Sequence, residues 1–444
     1  MNNKIKKIFF RAGLIFLLII LLGLGLRAFF NYKNEKKLEK YLAELKAKGI
    51  LVEFSELFPE CPEQENAALI WKSVESILMI EPKEKGLIDR IDGSLSWKEF
   101  SPEEKHLIKT VIDRNRKPLE LMLQASEKSR FQYDDWHKPF YSRGLPKISY
   151  FNRAIKLLIA DSIIKAENGQ FIDAVDQIQK GFKLMRLFAD YPEIICFLDA
   201  QINAKILIQG LNLVLSGRTL WEDKAREIIS SLDSEWWRNR FIKAIKAECK
   251  NDLEYYDIAF QHEILAYVNI EWLDRAMVWL FKPLLKSEMF WLLRHYEDLI
   301  QRVEKPFYQI PDNYSFFEPD NVQQPKIPFY YGPDKNLFIS YAGSIKRQAV
   351  LEALQNAAIA GLGCKLYKQK YGRYPETLSV LVPEILKEEP LDPITGQPLI
   401  YKANDKGFIV YSVGFNKKDD EGRMSRLEKS ILDKDDDWSW KDNW

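Results

Sequence analysis

The sequence predicts a mainly α protein: an N-terminal transmembrane helix, an α-helical body, and a small C-terminal α+β module with a long helix on a short antiparallel sheet. Three observations carry that prediction. An uncharged apolar run opens the chain. Apolar residues then recur at helical spacing over most of 33–305. Alternation with a period of two sets in only after residue 397. At 444 residues the chain has length for roughly two or three domains with a buried core. The expected boundaries are 1–32 for a signal-anchor segment, 33–305 for the body, 306–335 for a proline- and aromatic-rich extended linker, and 336–444 for the module with its acidic tail.

Charge and cysteine usage exclude some classes. Sixty-five basic residues face 64 acidic ones, a net charge of +1, so no global field points to nucleic acid. Local basic clusters such as KNEKKLEK are diluted by acids, and no nucleic-acid partner is expected. Cys61, Cys196, Cys249 and Cys364 lie far apart, without metal-ligand spacing; their even number permits two disulfides without requiring them, and the favoured reading is four small buried apolar residues.

The anchor is Ala12 to Leu26, which spans only ~22 Å as a helix; from Ile8 to Phe30 it spans ~34 Å, enough for a ~30 Å hydrocarbon layer. Arg11 and Arg27 fall near the ends, where long stems reach the headgroups. The stretch LGLGLRAFF has no small-x-small cleavage site and no lipid-attachment cysteine follows, so a retained signal-anchor is read over a cleaved signal peptide. A short basic N-terminus (Lys4, Lys6, Lys7) staying inside puts the bulk outside the cytoplasm.

In the body, Asn34 to Lys48 continues as a charged helix with Leu38, Tyr41, Leu42 and Leu45 on one face and Gly49 as its stop. Glu65 to Ile80 is amphipathic. Ser101-Pro102-Glu103-Glu104 opens a helix reaching Ser126, with Pro118 as a kink or a break. Residues 130–148 are aromatic and irregular, either a loop over the bundle or the rim of a cleft. Arg153 to Glu167, the turn at Asn168-Gly169-Gln170, and Phe171 to Asp190 make a helical hairpin that looks like one tetratricopeptide-type pair; no period repeats three times, so no solenoid is read. Residues 235–303 are helical and aromatic. Their run AMVWLFKPLL is too short to span a bilayer and reads as core rather than as a membrane-surface helix.

In the module, Ile339 to Tyr371 reads as a helix closed by Gly372. Asp392-Pro393 and Thr395-Gly396 mark turns, and Pro398 to Ala403 and Phe408 to Val413 alternate as two strands. The glycines of GLGLR and AGLGC carry no motif and read as chance.

The run YGRYPETLSVLVPEIL, then PLDPITGQPLIY, then FIVYSVG, resembles the globular head of type II secretion major pseudopilins, as found in uncharacterised membrane-anchored bacterial proteins with helical bodies. The resemblance covers about 80 residues of the 444. It implies a calcium site whose ligands would be Asn416, Asp419 or Asp420, and Asp436 or Asp437 before Trp438; calcium needs about six to eight oxygens converging on one point. The sequence departs from the family in having Asn416 where an Asp is usual, an inserted RMSRLEKSILDK, and Ile394-Thr395-Gly396 in the proline-flanked turn. It also lacks the processed Gly-aromatic junction of a fibre-forming subunit. The implied setting is a bacterial inner membrane, with other envelope proteins as partners.

No reaction is spelled out. His106, His137, His262 and His295 show no metal spacing, and there is no GxSxG, GxGxxG or P-loop, so no catalytic residue is assigned. The most site-like polar cluster is Asp134, Asp135 and His137 with Arg143. The expected role is therefore an anchored interaction or structural protein, with secretion or pilus-like machinery as the setting that the resemblance implies. The alternative is an extracytoplasmic hydrolase or ligand-binding protein with a cleft in the helical body.

Overall fold

A computed structural model describes residues 3–91, 95–133, 138, 143–261, 272–310, 335–423 and 437–444. The protein is mainly helical, with one three-stranded antiparallel sheet. Its contacts form two compact units. One holds 3–58 and 245–300; the other holds 59–244, 301–310 and the described part of 335–444. This differs from the expected order of one body followed by a separate module. The module groups with 59–244, and the chain passes between units within one helix, at Ala244–Ile245. Most of the expected linker, 306–335, lies outside the described residues.

The first unit is built on α1 (Asn3–Ala47), one unbroken helix that joins the apolar run to the charged one. Ile8 through Leu26 stand exposed along it, as do Phe29 and Phe30. Beyond them Leu38, Tyr41 and Leu45 are buried, as the spacing predicts. Gly49, at φ +64°, ends the helix: its N–H bonds Lys46 O and the Ile50 N–H bonds Leu45 O, each at 3.0 Å. A short α2 (Phe54–Leu57) follows.

The partner of α1 is a long helix, Trp272–Val303, numbered α13 below. The Tyr41 ring packs on Phe290 with centroids 5.0 Å apart. Tyr41 and Lys48 both donate to Glu297, and Lys286 pairs with Glu35 at 3.0 Å. Burial alone would push the Glu297 carboxyl up, but these two donors hold it below its ordinary value. Pro283 sits inside α13. It has no N–H to offer the carbonyl one turn back, at Trp279. Arg27 of α1 fills that vacancy, donating to Trp279 O through Nη2 at 2.6 Å and Nε at 3.1 Å. The core reading of AMVWLFKPLL is corrected here: Trp279, Leu280 and Phe281 are exposed.

The second unit begins with α3 (Ala67–Ile77), whose cap Asn66 accepts the Ala68 N–H at 3.0 Å. After α4 (Pro82–Asp89) and α5 (Leu95–Glu99), α6 (Pro102–Arg114) opens on the expected capping serine, Ser101, which forms a capping box with Glu104. The break before α7 (Arg116–Ala125) falls at Asn115, not at Pro118. Buried Asn115 bonds both the N–H and the carbonyl of Met79. Pro118 sits in the first turn of α7, where a missing N–H costs nothing.

The centre of this unit is α8 (Ile148–Glu167), α9 (Phe171–Ala189) and α10 (Ile194–Leu215). Gly169, at φ +85°, makes the turn between α8 and α9. A Cβ on Gly210 would lie 2.8 Å from Ile159 Cγ2, so this glycine lets α10 approach α8 closely. The unit continues with α11 (Glu222–Ser231) and the start of α12 (Ser234–Gln261).

The C-terminal part has the expected long helix, α14 (Lys335–Tyr371), with Gly372 at φ +76° as its cap. Strands β1 (Ile400–Ala403) and β2 (Phe408–Ser412) fall where the alternation puts them. A third strand was not expected. Residues Trp438–Asp442, read from sequence as an acidic tail, form β3 and pair with β2 in the register Val410↔Trp440. The AGLGC glycines are also corrected, because a Cβ on Gly361 would overlap the Trp440 indole. The position is small so that β3 can lie on α14.

Candidate functional site

The residues singled out by sequence have separate fates. Asp134, Asp135 and His137 lie outside the described residues. Arg143 is buried, donates through Nε to Lys138 O at 2.7 Å, and faces Glu193 at 3.4 Å. Beside this segment, Phe131 and Tyr133 meet Tyr191 edge-on, and the Tyr191 hydroxyl donates to Gly144 O. Among the described residues, this region is a packed aromatic seam with a buried charged pair.

Asp436 also lies outside the described residues. The other four members of the calcium set come together in the loop after β2. Asp437 is fully buried and accepts three backbone N–H groups, from Gly414 at 3.2 Å, Asp420 at 3.0 Å and Gly422 at 2.8 Å. Burial pushes its carboxyl up, and the three N–H donors oppose that. Asp419 accepts the Tyr411 hydroxyl at 2.6 Å and the Glu421 N–H at 2.9 Å. Asp420 accepts the Asn416 amide at 2.7 Å, and Asn416 accepts the Lys418 N–H at 3.0 Å. Each of these four side chains accepts at least one protein hydrogen bond, and a calcium ion would need their remaining oxygens to converge on one point. Among the described residues no three His, Cys, Asp or Glu side chains gather as metal ligands.

The carboxylate that organises this end of the unit is Asp442, which sequence reasoning did not single out. It accepts the Gly217 N–H at the end of α10 at 2.7 Å, the Tyr374 hydroxyl at 2.8 Å, and pairs with Lys365 of α14 at 2.7 Å. Burial lowers the Lys365 ammonium and Asp442 partly restores it. One side chain thus ties β3 to α10, to α14 and to the turn after α14. The only signal available in sequence was its place on an alternating WSWKD run.

Two cavities flank this knot. One, of about 280 Å³, lies between α10, α14 and β3 and is lined by Lys98, Asn212, Ser439, Lys441 and Trp444. The other, of about 330 Å³, is lined by Arg218, Lys365, Lys368, Tyr374 and Asp442. Both are rich in cations, and the Asp442 side chain is already engaged by Lys365. Burial lowers Lys441, and the Lys98 charge adds to that.

A buried polar seam on α10 was also missed. Gln201 donates to Gln348 of α14 at 2.6 Å. Lys205, one turn on, is fully buried, and its ammonium has no hydrogen-bond partner among the described groups. Burial, with the Arg347 charge behind it, lowers Lys205 to about 7. On another face, Asp199 bonds Asn203 at 3.0 Å, and burial raises its carboxyl to about 7.

The fold and these sites define a class: a helical protein whose first helix is long and apolar enough to cross a membrane, carrying a small α+β element. The chain matches no protein-family model, no curated protein and no solved structure.

Proposed function

We propose that the chain is a single-pass membrane protein of the bacterial envelope, with its bulk on the extracytoplasmic side of the inner membrane, acting as an interaction or structural component. The observation that carries this reading is α1. Its apolar stretch is wholly exposed, and the same helix then runs unbroken into a charged stretch gripped by α13. A helix that is apolar all round needs an apolar solvent. The α8–α9 pair, read as tetratricopeptide-like, is the proposed platform for protein partners. The pseudopilin resemblance of the C-terminal part adds secretion or pilus-like machinery as the proposed partner class.

In-cell crosslinking of the full chain, followed by purification and mass spectrometry, tests this. Recovery of secretion or pilus subunits is expected; recovery of the chain alone removes the scaffold reading. Melting with calcium and with a chelator tests the site that the resemblance implies. A calcium-dependent rise would support the site, and coincident curves would remove it.

A second reading, ligand binding, is favoured by the two cation-lined cavities beside β3, one of which Asp442 lines. Their volumes of about 280 and 330 Å³ are close to the lower end for small-molecule pockets, and their chemistry suits a small anion. Thermal shift with inorganic phosphate and simple carboxylates tests it, with Lys441→Ala and Lys368→Ala expected to remove any shift.

A further inference from the structure

The pairings between α1 and α13 rise together along both helices. Arg27 meets Trp279, Asn34 meets Pro283 O at 2.7 Å, Glu35 meets Lys286, and Tyr41 meets Phe290 and Glu297. The two helices therefore run parallel. Towards its N-terminus α13 descends in step with α1, back towards the apolar stretch. At the level of Arg27, where that stretch ends, Trp279, Leu280 and Phe281 stand 45%, 48% and 42% exposed. These are large apolar side chains on consecutive positions, so they cover more than one side of the helix.

We infer that the Trp279–Phe281 stretch of α13 is a second membrane contact, seated in the headgroup layer beside the end of the α1 span. The occupant of this face is lipid, because Trp279 is bonded to Arg27 and the patch therefore lies level with exposed apolar residues of α1, among them Leu26, Phe29 and Phe30. Its chemistry is that of the interface. A tryptophan with an apolar body and a polar edge, flanked by cations, is favoured where hydrocarbon meets headgroups. Here Arg27 lies over the Trp279 ring at 3.4 Å while satisfying its carbonyl, and Lys33 stands exposed beyond. Pro283 is part of the device. By freeing the Trp279 carbonyl it creates the acceptor that locks α13 to the membrane exit of α1. The seat holds the first unit against the bilayer instead of letting it swing on a single helix.

This inference rests on α1 as the membrane span, and the test separates the two. The full chain carrying Cys61→Ser, which leaves only buried cysteines, is given one labelling cysteine at a time: Ile19→Cys in the span, Leu280→Cys in the seat, or Lys40→Cys on the exposed face of the charged stretch of α1 as a water-exposed control. Each is labelled with an environment-sensitive dye and reconstituted in phosphatidylethanolamine–phosphatidylglycerol vesicles containing nitroxide lipids. The expected result is quenching of Ile19→Cys by deep nitroxides, quenching of Leu280→Cys by shallow ones, and none at Lys40→Cys. Leu280→Cys as bright as Lys40→Cys, with Ile19→Cys quenched, would overturn the seat and keep the anchor. A blue shift at Leu280→Cys without nitroxide quenching would also overturn it, because protein then covers the face. An unquenched Ile19→Cys would sink the anchor reading itself.

Discussion

Among the described residues, two helices are long and apolar enough to cross a membrane, and they have opposite surroundings. The apolar stretch of α1 is 0% buried and that of α10 is 89% buried. The difference is legible in their polar residues. The α1 stretch from Ala12 to Leu26 carries no polar side chain, whereas α10 carries Asp199, Gln201, Asn203, Lys205, Gln209 and Asn212 within one run. Gln201 and Asn212 find partners on α14 and β3, and Asp199 finds Asn203. In hydrocarbon such groups would be costly; in a protein core they become the contacts that fix which helix lies against which. Length and hydropathy nominate both helices, and polar placement separates them.

The sharpest way to break that comparison is to remove 1–30. Loss of the chain from alkali-washed membranes is expected, with the second unit still folded by hydrogen exchange. Retention in the membrane would mean that α10 or another segment anchors it. Next in size is Asp442→Ala, which leaves Lys365 buried without its partner. Breaking such a pair costs about 3–5 kcal/mol, seen as lost exchange protection in α14 and β3 but not in α1. Equal loss in both units would contradict their separation. Gly361→Leu forces a side chain into the space of Trp440. Overpacking of this kind costs about 1–3 kcal/mol, again confined to the second unit.

The α10 seam gives a smaller, pH-dependent effect. Asp199 holds its proton in the fold up to about 7, whereas an unfolded aspartate loses it near pH 4. Between these values the folded state binds more protons, so stability falls as pH rises. Lys205 does the reverse. It gives up its proton at about 7 in the fold, while the unfolded chain keeps it to about pH 10, so stability rises over that interval. The second unit is therefore expected to be least stable near neutrality. Asp199→Asn should flatten the acid limb and Lys205→Met the alkaline one, as read by urea midpoints of exchange protection. A profile unchanged by both variants would mean that the two groups titrate normally.

Much of the fold was legible because local chemistry decided it. Ser101 with Glu104, the glycines at 49, 169 and 372, and the short apolar run that becomes the fully buried strand Phe408–Ser412 each act within a few residues. What was not legible depends on distant partners. The WSWKD run becomes a strand only because β2 has a free edge, and Gly361 is small only because Trp440 arrives from 79 positions away. Trp279 looked like core because aromatic composition does not say which side a helix presents. The candidate site was the least legible part. Asp442 and Lys205 draw their importance from burial, which a charged letter in a sequence does not announce.

The central claim is that α1 holds the chain in a membrane with the bulk on the extracytoplasmic side. Protease treatment of intact bacterial spheroplasts and of inverted inner-membrane vesicles, with detection of the C-terminal residues, tests it most directly. The account predicts cleavage in spheroplasts and protection in inverted vesicles. Protection in spheroplasts with cleavage in inverted vesicles would put the bulk in the cytoplasm and contradict it.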